Sequence, residues 1–250
     1  HISSLPGKHG IGTMGESAYK FVDFLHDSLQ SYWQILPICP TSYGDSPYQS
    51  YSTFAGNPYF IDPDILCKMG LLEVSDYINI DYETQKDVVD YGALYRLRYP
   101  VLKKAAAKFN TGDASYKAFL AANKDWIETY ALFMSLKDHH QGKSWWEWEE
   151  AYRYSYADEL ETFKDGHKEE LDFWKIIQYL FFKQWEQLKS YANSKGISII
   201  GDLPIYVSLD SVDVWSDPGQ FQLDEERMPW EVSGCPPDGF SKDGQLWGNP

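Results

Sequence analysis

The sequence predicts an α/β fold: a parallel sheet with a helical insertion hung on the loop after its second strand. Three observations lead there. Two apolar segments, 32–38 (Tyr32-Trp33-Gln34-Ile35-Leu36-Pro37-Ile38) and 197–207 (Ile197 through Val207), have the composition of parallel strands buried on both faces. Each follows a stretch in which apolar residues recur at helical spacing. Between them a block of about a hundred residues breaks the strand–helix alternation.

Along the chain, Ile2-Ser3-Ser4-Leu5-Pro6-Gly7 reads as the tail of a first strand. Ala18, Phe21, Val22, Leu25 and Leu29 then give one apolar helical stripe ahead of the second strand. Residues 1–64 are expected to form the first part of the sheet with a loop of its own. Residues 65–168 form the mainly helical insertion, with helices over 91–109 and 114–139, followed by the aromatic and acidic run from Trp145 to Glu150, read as a solvated face. Residues 169–250 supply a long helix to Ser194, with Leu171, Trp174, Ile177, Phe181, Trp185 and Leu188 on one face. Gly196 stands as its C-terminal cap, and the third strand and a long loop complete the segment.

Composition narrows the function. The 250 residues carry a formal charge of -15, from 22 basic and 37 acidic side chains, a field that repels a phosphate backbone. Nucleic acid is therefore not an expected partner. No apolar run is long enough for a membrane span, and the expected compartment is the cytoplasm. Cys39, Cys67 and Cys235 are odd in number and widely spaced, which fits neither a disulfide framework nor a zinc site. Asp138-His139-His140 has no distant ligand set to make it a metal centre, and no cofactor motif occurs. His26 and His167 read as surface or capping residues, and Asp210 and Asp213 as helix caps.

The unusual quantity is aromatic: 10 Trp, 19 Tyr and 13 Phe make 17% of the chain, many beside Gly, Pro, Asp and Ser. Rings in polar loops suit sugars, whose C–H faces stack on them, although Tyr and Trp also serve as core and interface residues. In parallel α/β folds the functional face lies at the carboxyl ends of the strands. Three places there stand out. The loop 40–59 is almost entirely turn formers, hydroxyls, amides and rings, including Tyr43, Ser46 and Tyr48. Asp202 sits among apolar residues near its strand's end, where a buried carboxylate needs either a ligand or an internal partner. The segment 228–250, with Trp230, Asp238, Phe240 and Trp247 punctuated by glycine and proline, has the composition of a lid.

At these residues the sequence resembles the amylomaltases, the 4-α-glucanotransferases. The matching stretches are collinear: His1 to Gly7, Gly10-Ile11-Gly12, Trp33 to Pro37, Tyr43 to Gln49, Phe54 to Pro58, Gly201 to Val207, Pro236-Pro237-Asp238 and Trp247 to Pro250. The resemblance implies a (β/α)8 TIM barrel, of which this chain holds a part, and transfer of α-1,4-glucan segments between maltooligosaccharides. It gives Asp202 the role of the carboxylate holding hydroxyls of the sugar beside the scissile bond, with Tyr48 and Ser46 lining the same subsite. Tyr43 matches an outlying glucan site, and Asp238 and Trp247 match a mobile loop over the cleft. No cofactor and no metal is implied, and maltooligosaccharides or starch-like glucan are the implied partners. The family's Arg-Ile-Asp-His-Phe nucleophile motif and its acid/base glutamate do not occur before Pro250. The resemblance therefore implies no catalytic residue within this chain. A hydrolase of the same superfamily and a non-catalytic glucan-binding fragment are the alternative readings.

Overall fold

The computed structural model describes residues 1–82 and 88–250. Its elements are α1 (Glu16–Asp27), β1 (Tyr32–Gln34), α2 (Pro63–Lys68), α3 (Tyr91–Ala107), α4 (Ala114–Ala122), α5 (Ile127–His139), α6 (Glu150–Arg153), α7 (Ala157–Gly166), α8 (Lys168–Ser194), β2 (Ser198–Ile200), α9 (Val212–Ser216), β3 (Gly234–Cys235) and β4 (Gln245–Leu246). The fold is α/β, mostly helical with few strands. Among the described residues, no helix is long and apolar enough to cross a membrane.

Local chemistry sets many of the helix boundaries. Asp62 caps α2 by accepting from the Ile65 N–H, with Pro63 at the first helical position. Asp90 caps α3 through Ala93, Asp113 caps α4 through Ser115 and Tyr116, and Ser211 caps α9 through Val214. Gly196 takes a left-handed φ of 77° after α8, the cap the sequence expects. The stretch 114–139 is two helices, α4 and α5, and not one. Leu29 leaves the apolar stripe of α1: it is exposed, with φ of 57°, because the helix has already ended at Asp27.

The described residues divide into two compact units. The first comprises His1–Ile38, Gly56–Lys124 and Phe173–Asp202. Here β1 and β2 pair in parallel, Trp33 opposite Ile199. Both strands are shorter than the apolar segments that announce them, and neither is buried on both faces, since Tyr32, Gln34 and Ile200 are exposed. The opening Ile2–Ser4 is a 3-10 turn, not a strand tail; Ser3 accepts from the Gly12 N–H, which draws 1–12 into a compact knot. The core is the inner face of α1 (Ala18, Val22, Leu25), Trp33, and the stripe of α8 carrying Ile177, Phe181 and Leu188.

Much of this unit's buried backbone belongs to no helix or strand, and polar side chains satisfy it. Gln178 accepts from the Gly56 N–H (2.7 Å) and donates to the Gly56 carbonyl (3.0 Å). Six residues on, Gln184 treats Asp62 the same way (2.7 and 3.3 Å). The fully buried Arg98 donates to the carbonyls of Ile61 (3.0 Å) and His9 (2.6 Å), with its guanidinium 5.5 Å from the Tyr82 ring. Buried donors and acceptors left unpaired would each cost about 1–3 kcal/mol.

The second unit comprises Cys39–Ala55, Asp125–Asp172 and Leu203–Pro250. Its centre is α5, buried from Tyr130 through Lys137. Phe133 packs against Trp148 (5.5 Å) and Trp215 (5.7 Å). The run beginning at Trp145 is thus not a solvated face. Trp145 and Trp148 are buried, and each directs its indole N–H to a carbonyl, Trp145 to Leu209 (2.7 Å) and Trp148 to Lys143 (3.1 Å). Lys137 is buried beside them. Its ammonium donates to Asp210 (2.6 Å) and the Lys143 carbonyl (3.1 Å) and lies 4.8 Å from the Tyr51 ring. Burial pulls the Lys137 pKa below its ordinary value, and Asp210 opposes that shift. Asp210 is therefore half of an ion pair and not a helix cap.

A Cβ at Gly12 would lie 1.9 Å from the Ile2 carbonyl oxygen and 2.9 Å from the Leu5 nitrogen, both backbone, so Gly12→Ala is expected to lose about 3 kcal/mol, read as a lower urea midpoint. Lys137→Met strands the Asp210 carboxylate and is expected to cost about 3–5 kcal/mol, whereas Lys137→Met with Asp210→Leu recovers most of it. Thermal unfolding of the three proteins checks the second expectation, which fails if the double variant is the least stable.

Candidate functional site

The loop 39–55 holds its shape by hydrogen bonds among short polar side chains. Thr41 and Ser50 form an antiparallel bridge, and Ser42 donates its N–H to the Gln49 carbonyl (2.9 Å), closing a hairpin. Its tip is the 3-10 turn Tyr43–Asp45, with Gly44 and Asp45 at φ of 68° and 55°. Ser46 Oγ accepts from the Tyr48 N–H (3.2 Å), so Ser46 helps set the position from which the Tyr48 ring reaches solvent. Beyond the hairpin, Ser52 Oγ accepts from the N–H groups of Phe54 and Ala55 (both 3.2 Å). Asp213 accepts from both the N–H (3.1 Å) and the hydroxyl (2.7 Å) of Thr53, and Val212 N–H donates to the Tyr51 carbonyl. Asp213 thus ties this loop down, while Ser211 caps the helix. Burial raises the Asp213 pKa, and the Thr53 donors work against that rise. The nearby Cys39 thiol is pushed up to about 11 by burial, which keeps it protonated.

The loop 228–250 is built in the same manner. Gly234 pairs with Leu246 and Cys235 with Gln245 in the short antiparallel β3–β4 ribbon. Asp238 Oδ1 accepts from the N–H groups of Phe240 and Ser241 (both 2.8 Å), closing a turn. The Ser241 and then the Phe240 donor hold its carboxyl below the ordinary range. Trp247 donates its indole N–H to Gln245 Oε1 (3.0 Å), and its ring centroid lies 6.0 Å from that of Tyr206, tilted by 48°. Gln49 Nε2 reaches the Trp247 carbonyl (3.2 Å) and Asn249 Oδ1 (2.9 Å).

Of the residues singled out from sequence, the second unit therefore holds Ser46, Tyr48, Asp238 and Trp247. Tyr43 opens the hairpin tip, and its side chain lies outside the described residues. Asp202 belongs to the first unit, two residues beyond β2. It is exposed and not enclosed by its apolar neighbours, because β2 ends at Ile200 and Leu203 and Ile205 are themselves exposed. Its interest thus comes from its place at a strand's carboxyl end, not from a burial penalty.

Two features of the first unit escaped sequence reasoning. His9, Asp62 and Asp64 bring their ligand atoms within 4.8 Å of one another, a spacing that invites a cation. All four carboxylate oxygens are nonetheless engaged: Asp62 by Ile65 and Thr13, Asp64 by Tyr77 and His9. Burial depresses the His9 pKa, and the cationic Arg98 depresses it further, so the cluster reads as a bonded network of the core. The second feature is a groove of about 1020 Å³ along α8, with Tyr19, Phe119, Phe182 and Tyr191 on its walls. Its Tyr191 hydroxyl is committed to Asp23 (2.6 Å), and no residue singled out from the sequence lines it.

The family model described as 4-alpha-glucanotransferase matches residues 1–250. The 4-alpha-glucanotransferase of Clostridium butyricum is 52% identical over 252 aligned positions, covering 100% of this chain and 52% of the relative. That of Thermus thermophilus is 44% identical, with 100% and 50% covered. The chain spans about half the length of the curated relatives it matches. Among solved structures, the amylomaltase of Streptococcus agalactiae in complex with acarbose superimposes with a TM-score of 0.95 at 47% identity, covering 100% of this chain and 51% of that one. The Corynebacterium glutamicum amylomaltase, 18% identical, shares the fold at a TM-score of 0.72. Matched along its whole length, the chain belongs to the 4-alpha-glucanotransferase family.

Proposed function

We propose that the protein transfers α-1,4-glucan segments from one maltooligosaccharide to another by a retaining double displacement. The observation that carries this reading is the pair of half-exposed rings, Tyr48 and Trp247, held on hydrogen-bonded polar loops in a chain that its family model matches end to end. Rings fixed in that way stack on the apolar faces of pyranoses while neighbouring amides and hydroxyls meet the sugar hydroxyls. The structural neighbour from Streptococcus agalactiae was solved with acarbose, which supports an oligosaccharide ligand here as well.

In this reading β1 and β2 are consecutive strands of a (β/α)8 barrel, and Asp202, leaving the carboxyl end of β2, binds hydroxyls of the sugar at the reacting bond. Tyr48 and Ser46 belong to that subsite, Tyr43 to an outlying one, and Asp238 and Trp247 to a covering loop. A retaining mechanism needs two carboxyl groups about 5–5.5 Å apart, one attacking the anomeric carbon and one donating a proton to the leaving oxygen. That pair is assigned to residues outside these 250. The part of this chain is to bind and orient the glucan, and to keep water from the covalent intermediate until an acceptor sugar arrives.

Incubating the intact protein with maltotriose tests the reading. A ladder of longer maltooligosaccharides is expected, and glucose and maltose alone would replace transfer with hydrolysis. Asp202→Ala in the same protein is expected to lower kcat about a hundredfold or more while changing glucan affinity by no more than about threefold, because its bonds act at the reacting sugar. An unchanged kcat removes Asp202 from the site.

A further inference from the structure

Three half-exposed rings of the second unit, Tyr48, Tyr206 and Trp247, are 42%, 44% and 43% exposed. Each stands at, or next to, a backbone or side-chain group held by one pair of amides. Gln49, which follows Tyr48, donates through Nε2 to the Trp247 carbonyl (3.2 Å) and to Asn249 Oδ1 (2.9 Å). Asn249, itself buried, donates through Nδ2 to the carbonyl of Val207 (2.7 Å), which follows Tyr206. The backbone closes the same circuit: Ser233 N–H donates to the Asn249 carbonyl (2.8 Å), and Trp247 N–H to the Ser233 carbonyl (2.9 Å). Three segments distant in sequence are thereby pinned within one residue of their rings. Tyr206 and Trp247 are tilted by 48° and so form an open V in place of a closed stack.

We propose that Gln49 and Asn249 are positioning residues that hold Tyr48, Tyr206 and Trp247 as one sugar-stacking platform, with Tyr206 a further contact for an α-glucan. The proposal rests on the glucan-transfer reading above. Its physical basis is that stacking on a pyranose face tolerates little misplacement of the ring, about 0.5 Å or 10–20°, and long loops hold that tolerance only when their backbone groups are fixed. A neutral amide pair does so without a buried charge. Both donors of Gln49 are spent on acceptors of the platform, so an isosteric carboxylate, which has no donors, would release it.

The test compares acarbose binding by calorimetry in the intact protein with maltotriose kinetics. For Gln49→Glu the dissociation constant and KM are expected to rise about tenfold, with kcat falling by less than about tenfold against the hundredfold or more of Asp202→Ala, since the platform chiefly holds the glucan while Asp202 acts at the reacting bond. Trp247→Ala should show a similar rise, and the double variant should lose clearly less than the product of the two single losses, because the two changes share the Trp247 ring. Tyr206→Ala, which removes a half-exposed ring beside Trp247, should weaken acarbose at least about fivefold. Unchanged affinity in Gln49→Glu or Tyr206→Ala, or multiplicative losses in the double variant, overturns the platform. A wild-type protein that binds acarbose but gives no ladder from maltotriose overturns the transfer reading alone, since the affinity comparisons need no turnover. A wild type that binds no acarbose overturns both.

Discussion

The structure depends on one constraint: long stretches of irregular backbone are buried, and every buried N–H and C=O must find a partner outside the regular ladders. Polar side chains supply those partners. Gln178 and Gln184 serve Gly56 and Asp62, and Arg98 serves His9 and Ile61. In the second unit Asp213 serves Thr53, and the indoles of Trp145 and Trp148 serve Leu209 and Lys143. These are groups a hydrophobicity pattern scores as out of place in a core. Each removes a penalty, and together they let loops as polar as 39–55 behave as rigid parts of the structure.

The legible part of the fold was the part governed by periodicity. The stripes of α1 and α8, the Gly196 stop and the parallel pairing of two apolar segments follow from spacing and turn chemistry, and all are present. The errors share one cause, which is that sequence pattern does not report tertiary partners. Trp145 and Trp148 stand among glutamates and look solvated, yet both are buried, Trp148 against Phe133 of α5 and Trp215 of α9, and Trp145 with its indole N–H on the Leu209 carbonyl. Asp210 looks like a cap and is Lys137's counter-ion. Asp202 looks enclosed because its neighbours are apolar, but those neighbours are exposed.

The candidate site shows the same division. The loops were found by composition, since rings beside Gly, Pro and Ser are conspicuous in a linear string. The groups that fix those rings were not. Gln49 and Asn249 are two hundred positions apart, and nothing in either neighbourhood announces that one amide bonds the other. Tyr206 is illegible for a related reason: its segment has the composition of strand interior, whereas β2 stops at Ile200. On the proposed reading, aromatic composition points to the kind of ligand, while the polar scaffold beneath sets the geometry of the rings.

The paired glutamines of α8 also act as a ruler. Gln178 and Gln184 are six residues apart, as are their partners Gly56 and Asp62, and the two intervals run in the same direction. One added residue between the glutamines would turn the second about 100° around the helix axis and advance it about 1.5 Å, away from its peptide. One added residue in the facing stretch, compacted by the 3-10 turn at Pro58, would slip the register from the other side. Insertions and deletions are therefore excluded from either interval unless compensated in its counterpart, and 56–62 and 178–184 must keep their lengths as a matched pair however freely the surrounding surface loops change theirs.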